Sequence, residues 1–263
     1  MISCHNRLAL KTRLRGRDKV FVGWTSIGHP QVTEVLVRSG VDIMGIDIEH
    51  STITLEQSQR IIAASQAAGV ACLARIASHN EEAIKRLLDS GADGIIVPMV
   101  STIDEVAALV EWCKYPPVGR RSFGVSRAQG YGLDFDSYTS RWNETSILII
   151  QIESASAVEN IEAIVDTKLL DGVMIGPYDL SGSLGVPGQL DHPKVIEAAN
   201  KVIAACKRAG IACGTHIVSP NAENIKAVFD EGFTFTALSS DVFLLGEWAL
   251  GTQGLIRHAR LND

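Results

Sequence analysis

The chain has 263 residues, 46% of them hydrophobic and 21% charged, with a formal net charge of −6. That length suits one large domain, the composition is too polar for a membrane protein, and the negative balance gives no general attraction to nucleic-acid phosphates. The five cysteines, Cys4, Cys72, Cys113, Cys206 and Cys213, lack CxxC spacing and lie mostly in apolar segments, so they read as reduced, buried thiols and not as a disulfide frame or zinc site.

The chain opens on a basic stretch over 7–17, whose spacing predicts a solvated or packing helix within an N-terminal extension over 1–18. His5 falls in a start expected to be disordered. The first residues lack the apolar core of a secretory signal, and no apolar run approaches the ~18 residues of a spanning helix. A cytoplasmic location without a membrane partner is expected. From there β-rich runs alternate with amphipathic ones. Strands are predicted over 20–25, 43–48, 71–75, 94–98, 147–153, 172–176, 212–216 and 235–239. Helices are predicted over 30–39, 55–68, 81–90, 103–114, 155–165, 193–209 and 221–231. Gly40, Gly69, Gly91, Gly210 and Gly232 follow helical patterns, where glycine supplies the left-handed residue that ends a helix.

Eight strands separated by helices predict an α/β protein, a single-domain (β/α)8 TIM barrel over 1–263 with right-handed crossovers. An open doubly wound sheet fits less well, because Gly23-Trp24-Thr25-Ser26-Ile27-Gly28 lacks the GxGxxG spacing. One segment breaks the rhythm. Residues 115–145 are rich in Gly, Arg, Ser and aromatics and form an extended loop between the fourth and fifth strands, and a long loop inside a compact domain is usually functional.

Barrel active sites occupy the C-terminal ends of the strands. The second strand ends in Asp47-Ile48-Glu49-His50, the third in Arg75, the fourth in Pro98-Met99, the fifth in Gln151 and Glu153, the sixth in Gly176-Pro177-Tyr178-Asp179 and the seventh in Thr215-His216. Two buried strands thus finish on carboxylates, Glu153 and Asp179. Each costs several kcal/mol unless something positive meets it, and the pair would repel. A hard divalent cation with oxygen ligands resolves both problems; capping of the turns that follow is the alternative. His50 also fits a core histidine satisfied by a carbonyl. Arg75 at a barrel mouth wants an anion, Glu49 or a substrate. Asp89, on the last turn of its helix, is placed against the helix dipole and so calls for a partner such as a histidine. Asp93, Asp171 and Asp191 read as turn and cap residues, and His29, His79, His192 and His258 as surface or capping groups.

Asp47-Ile48-Glu49-His50, Leu87-Leu88-Asp89-Ser90-Gly91-Ala92, Val97-Pro98-Met99-Val100, Tyr115-Pro116-Pro117-Val118-Gly119-Arg120-Arg121, Gln151-Ile152-Glu153 and Ile175-Gly176-Pro177-Tyr178-Asp179-Leu180-Ser181 resemble the HpcH/HpaI aldolase family over about residues 20–241. These are metal-dependent 2-keto-3-deoxy acid (pyruvate) aldolases of the phosphoenolpyruvate/pyruvate barrel superfamily. The resemblance implies a lyase that reversibly cleaves a 4-hydroxy-2-oxo acid to pyruvate and an aldehyde through a metal-stabilised enolate. It implies that Glu153 and Asp179 bind a divalent ion (Mg2+, Mn2+ or Co2+), that His50 and Asp89 form the proton-transfer dyad, and that Arg75 holds the keto or enolate oxygen. Gln151 and the backbone amides at Tyr178 and Asp179 would contact pyruvate, and His216 would line the pocket. It also implies a homo-oligomer, a hexamer in the family, and the apolar-rich end over 242–250 suits a neighbouring subunit as well as its own barrel.

Two departures touch the pocket. Ile76 stands where the family commonly has proline, and Tyr178 is bulkier than the alanine or serine of several members, which leaves the aldehyde open. The segment 121–132, with Arg127, reads either as part of the aldehyde site or as a subunit contact. No strand tip offers a Schiff-base lysine, since Lys85 and Lys114 fall on helices. Oxaloacetate decarboxylation or an acyl-CoA lyase reaction would use the same enolate chemistry, and a catalytically idle keto-acid-binding or assembly barrel is the reading from another class.

Overall fold

The computed structural model of the protein describes residues 4–261. Its strands are β1 (Val20–Thr25), β2 (Ile43–Asp47), β3 (Ala71–Arg75), β4 (Gly94–Val97), β5 (Ile147–Ile152), β6 (Gly172–Ile175), β7 (Ala212–Ile217) and β8 (Phe235–Leu238). They pair in parallel in sequence order, and β8 closes on β1. The (β/α)8 barrel is therefore the fold. Helix α1 (Cys4–Arg15) precedes it. The crossovers carry α2 (Pro30–Leu36), α3 (Leu55–Ala67), α4 (Glu81–Asp89), α5 (Ile103–Cys113), α6 (Phe135–Thr145), α7 (Ala155–Glu159), α8 (Ile161–Val165), α9 (Pro177–Ser183), α10 (Pro193–Ala209) and α11 (Ala222–Asp230), and α12 (Asp241–Leu261) follows β8.

The strands are continuous apolar runs because a parallel sheet is covered on both faces. In β5 all six residues are buried. Leu148, Ile150 and Ile152 pack outward into the core under the helices, while Ile147 and Ile149 join the barrel interior. The same two-residue period marks Val20, Val22 and Trp24 on β1, and Ala71 and Leu73 on β3, as inward-facing. Capping boxes at Thr54 and Thr102 start α3 and α5, each cap contributing about 1 kcal/mol.

Helix α1 plugs the end of the barrel where the strands begin. Leu10 and Leu14 enter the interior cluster, and His5, expected in a disordered start, lies within this helix. Arg7 donates to Asp93 at 3.0 Å, Lys11 to the Ser146 carbonyl at 2.7 Å and to Asp171 at 3.2 Å, and Arg15 to Asp171 at 3.1 Å. Asp93 and Asp171 are therefore not mere turn and cap residues. Both are buried, and both also accept backbone N–H groups, from Cys72 and Leu148. The buried Lys114 ammonium donates to the Ser146 carbonyl beside them. Burial first and the neighbouring Lys11 second bring its pKa down to about 7.

The segment over 115–145 is not one loop. It holds a 3-10 turn, Arg127–Gly132, and α6, whose Trp142 is fully buried and donates to the Cys113 carbonyl. Arg121 donates to Asp89 at 2.7 Å and Arg127 to the Ser90 carbonyl at 3.1 Å. Asp89 and Ser90 lie just ahead of β4, so this segment sits at the end where the strands start. The expectation that 121–132 shapes the aldehyde site is thus corrected within one chain. Helix α4 runs back antiparallel to β3 and carries its C-terminal residues away from the barrel mouth. Phe123, Val125, Tyr131 and Leu133 leave an apolar surface exposed there.

At the mouth, α12 runs 21 residues, about 31 Å at 1.5 Å per residue. Trp248, Leu250, Leu255 and Leu261 on it are all exposed. Among the described residues no helix is long and apolar enough to cross a membrane.

Candidate active site

Continuing the inward rows past the last apolar residue of each strand reaches the mouth. On β5 the row runs Ile147, Ile149, Gln151 and then Glu153; on β3 it ends in Arg75, on β2 in Asp47, on β1 in Trp24 and on β7 in His216. These residues line a cavity of about 890 Å3 together with His50, Gly176, Tyr178 and Asp179. A strand period of two thus delivers the ends of five strands to one place, and the first turn of α9 after β6 adds Tyr178 and Asp179.

The centre is held by Arg75. Its Nη2 donates to Asp47 Oδ2 at 2.7 Å and its Nε to Asp47 Oδ1 at 3.2 Å, while Glu49 Oε2 stands 3.3 Å from Nε. The Trp24 ring lies under the guanidinium, 5.0 Å from its centroid. Gly45 makes that possible, since a Cβ there would sit 2.4 Å from the indole. Burial pushes the Asp47 carboxyl up, but Arg75 and the His50 N–H at 3.0 Å outweigh it and its pKa is lowered. Glu49 moves the other way, raised by burial despite Arg75.

Glu153 is buried, with Oε2 accepting the Met99 N–H at 2.9 Å and Oε1 accepting from Gln151 at 2.9 Å. Met99 adopts a positive φ of 56°, a strained conformation for a non-glycine residue, and its N–H thereby meets the carboxylate. Burial raises the Glu153 pKa, and the carboxylates of Asp179 and Glu49 raise it further. Gly176 leaves the space: a Cβ would approach Glu153 Oε1 to 2.3 Å.

Acids that repel across a small space, beside a buried Gln151 Oε1 that has no hydrogen-bond partner, form a donor set suited to a hard cation. Among the described residues no group of three or more His, Cys, Asp or Glu side chains is arranged to hold a metal. Two carboxylates completed by water and substrate oxygens are, however, the set that Mg2+ takes. Glu153 and Asp179 therefore fit a divalent ion.

Of the residues singled out from sequence, His50, Arg75, Gln151, Glu153, Tyr178, Asp179 and His216 meet in this cavity. Asp89 does not. It lies at the other end of α4, ion-paired with Arg121, and the acid beside His50 is instead Glu49, 3.7 Å from Nε2. Sequence reasoning gave no role to Asp47 or Trp24, although their positions on the inward rows of β2 and β1 were the available signal. His216, an expected pocket residue, donates its Nε2–H to the Ser239 carbonyl, 2.9 Å away, and burial lowers its pKa.

The family described as HpcH/HpaI aldolase/citrate lyase matches residues 21–247. A hydroxypyruvate/pyruvate aldolase of Roseobacter denitrificans is 35% identical, over 89% of this chain and 91% of that protein. A 2-keto-3-deoxy-L-rhamnonate aldolase of Salmonella typhi is 34% identical, over 90% and 88%. The crystal structure of an HpcH/HpaI aldolase/citrate lyase family protein from Burkholderia cenocepacia superposes with a TM-score of 0.88 at 30% identity, covering 95% of this chain and 99% of that one.

Proposed function

The chain belongs to the HpcH/HpaI aldolase/citrate lyase family, and we propose that it is a divalent-metal-dependent lyase that reversibly cleaves a 4-hydroxy-2-oxo acid to pyruvate and an aldehyde. The observation that carries this reading is the convergence of Arg75 with Glu153 and Asp179 in one cavity. Glu153 and Asp179 would hold Mg2+, Mn2+ or Co2+, and such an ion, when bound, offsets negative charge developing on a keto oxygen.

The residues of the chain divide the remaining work. His50 takes the proton from the C4 hydroxyl, and the C3–C4 bond breaks as C4 becomes the aldehyde carbonyl. The electron pair of that bond moves into C2–C3, and the charge arrives on the keto oxygen; proton return to C3 yields pyruvate. Asp47 occupies Nε and Nη2 of Arg75, which leaves the Nη1 donors for that oxygen. Gln151 and the amides of Tyr178 and Asp179 orient the pyruvate half. Pyruvate release from such an acid should be abolished by chelator and restored by Mg2+, Mn2+ or Co2+, followed by a coupled pyruvate assay. Full activity after exhaustive metal removal would overturn the reading.

The proton-transfer role of Asp89 requires a second copy of the chain. Asp89 and His50 lie at opposite ends of the barrel in one chain, so they can pair only across a subunit boundary. The exposed apolar residues of α12 and of the Phe123–Val125–Leu133 surface support a homo-oligomer in which such a boundary exists. His50→Ala and Asp89→Ala should each lose activity. Subunit exchange between the two at equal amounts should then restore about a quarter of the wild-type rate, because each site draws its two residues from different chains. A mixture no more active than either variant would sink the shared site.

A further inference from the structure

Glu153 is met by the Met99 N–H, and what aims that N–H lies outside the cavity. The chain is fixed on both sides of Pro98 and Met99. Before them Val97 pairs with Ile150 on β5; after them Val100 is buried and its N–H donates to the Gln151 carbonyl at 3.3 Å. Between these anchors the Pro98–Met99 peptide could face either way, because a planar unit turns about the soft dihedrals that flank it. The orientation observed puts Met99 at a φ of 56°, which a non-glycine residue keeps only where its surroundings enforce it. The Met99 side chain, 52% exposed, does not enforce it by packing.

Two hydrogen bonds do, one at each end of the same peptide. At one end the Met99 N–H donates to Glu153 Oε2 at 2.9 Å. At the other the Pro98 carbonyl stands 2.7 Å from Nε2 of His79, and since a carbonyl only accepts, Nε2 carries the proton. His79 reads from sequence as a surface or capping group, yet its side chain is 24% exposed and its Nδ1 lies 3.7 Å from Glu105 Oε1. Glu105 Oε2 in turn accepts the Ser101 and Thr102 N–H groups at 2.8 and 2.9 Å. The imidazole is thereby held against the turn between β4 and α5. A donor on the carbonyl also polarises the N–H that faces the carboxylate.

Resting on the aldolase reading above, we propose that His79 is a positioning residue for the metal centre: it clamps the Pro98 carbonyl so that the Met99 N–H points at Glu153. Without that donor the strained peptide relaxes toward a negative φ at Met99, which turns the N–H away from the carboxylate and the carbonyl oxygen toward it. Glu153 then keeps the Gln151 donor and loses the backbone one, and its orientation beside Asp179 loosens. Partners of this kind, which orient a ligand without touching the ion, are worth about tenfold to a hundredfold in metal affinity.

The test compares intact wild-type protein with His79→Phe, which keeps a ring but no donor, and His79→Gln, whose amide offers an N–H near the place of Nε2. Mn2+ affinity is measured by calorimetry. NMR on protein carrying 13C at proline carbonyls and 15N at methionine isolates one peptide, because among the four methionines Met99 alone follows a proline. Deuterium exchange at the pyruvate methyl group with Mn2+ runs beside these as the check on the aldolase reading alone. His79→Phe should weaken Mn2+ binding by about tenfold or more and move the Met99 amide proton upfield, while His79→Gln should stay within about threefold of wild type. If His79→Phe fails to fold, His79→Leu takes its place with the same expectations. Wild-type affinity or an unmoved Met99 amide in the donorless variant would overturn the inference, and so would equal weakening in His79→Gln, which would reduce His79 to packing. Wild-type protein that binds Mn2+ without exchanging pyruvate's methyl protons would overturn the aldolase reading and leave the clamp on Glu153 standing; failure to bind Mn2+ would overturn both.

Discussion

Glu153→Gln should lower kcat/KM for pyruvate release by about a thousandfold, the equivalent of losing about 4 kcal/mol of charge stabilisation in the transition state. The substitution is nearly isosteric. The amide oxygen can still accept the Met99 N–H, which the carboxylate receives at 2.9 Å, and the bare α-carbon of Gly176 still leaves the side chain its space. What disappears is one of two charges offered to a cation. Mn2+ affinity, measured by calorimetry on the purified variant, should fall together with the rate. Stability should not. Burial and the Asp179 and Glu49 carboxylates raise the Glu153 pKa, so a neutral side chain relieves a desolvated charge, and the melting temperature without metal should hold or rise. Retained Mn2+ binding with retained activity would remove Glu153 from the metal site. A large loss of melting temperature would show instead that the carboxylate is structural.

That the same residue could be singled out from sequence follows from the regularity of a parallel barrel. Runs such as Ile147-Leu148-Ile149-Ile150 announce strands buried on both faces, and a period of two then tells which later residue faces inward. The strand ends predicted this way fall within a residue or so of those observed: Val20–Thr25 and Ala71–Arg75 coincide. Asp47 was equally legible by its spacing from Ile43, yet it stood in one motif with Glu49 and His50, and nothing local distinguished which acid would take the arginine. Asp93 and Asp171 were misread for a different reason. An aspartate before a strand looks like a turn residue, and the groups that claim these two, Arg7, Lys11 and Arg15, arrive from a helix far away in sequence. Asp89 shows the remaining limit. Local spacing placed it correctly on the last turn of α4, but the direction in which that helix returns decides which end of the barrel it occupies.

Arg75→Met should reduce kcat by about a hundredfold to a thousandfold, as loss of a donor to a developing oxyanion does, and it should also destabilise the protein. Asp47 explains the second effect. Its side chain is 6% exposed and that of Arg75 13%, and Asp47 also lies 3.5 Å from the Trp24 Nε1. Removing the guanidinium leaves a buried carboxylate without its counter-ion, a defect that typically costs about 3–5 kcal/mol. Asp47→Asn in the same chain removes the orphaned charge. The double variant should therefore recover much of the lost melting temperature while its kcat stays near that of Arg75→Met, since no donor has been returned to the keto oxygen. Arg75→Lys supplies a charge without the planar fork that spans both Asp47 oxygens and should fall between wild type and Arg75→Met in both measurements. Recovery of kcat along with stability in the double variant would mean that Arg75 acts only by neutralising Asp47, and the oxyanion role would pass to another group.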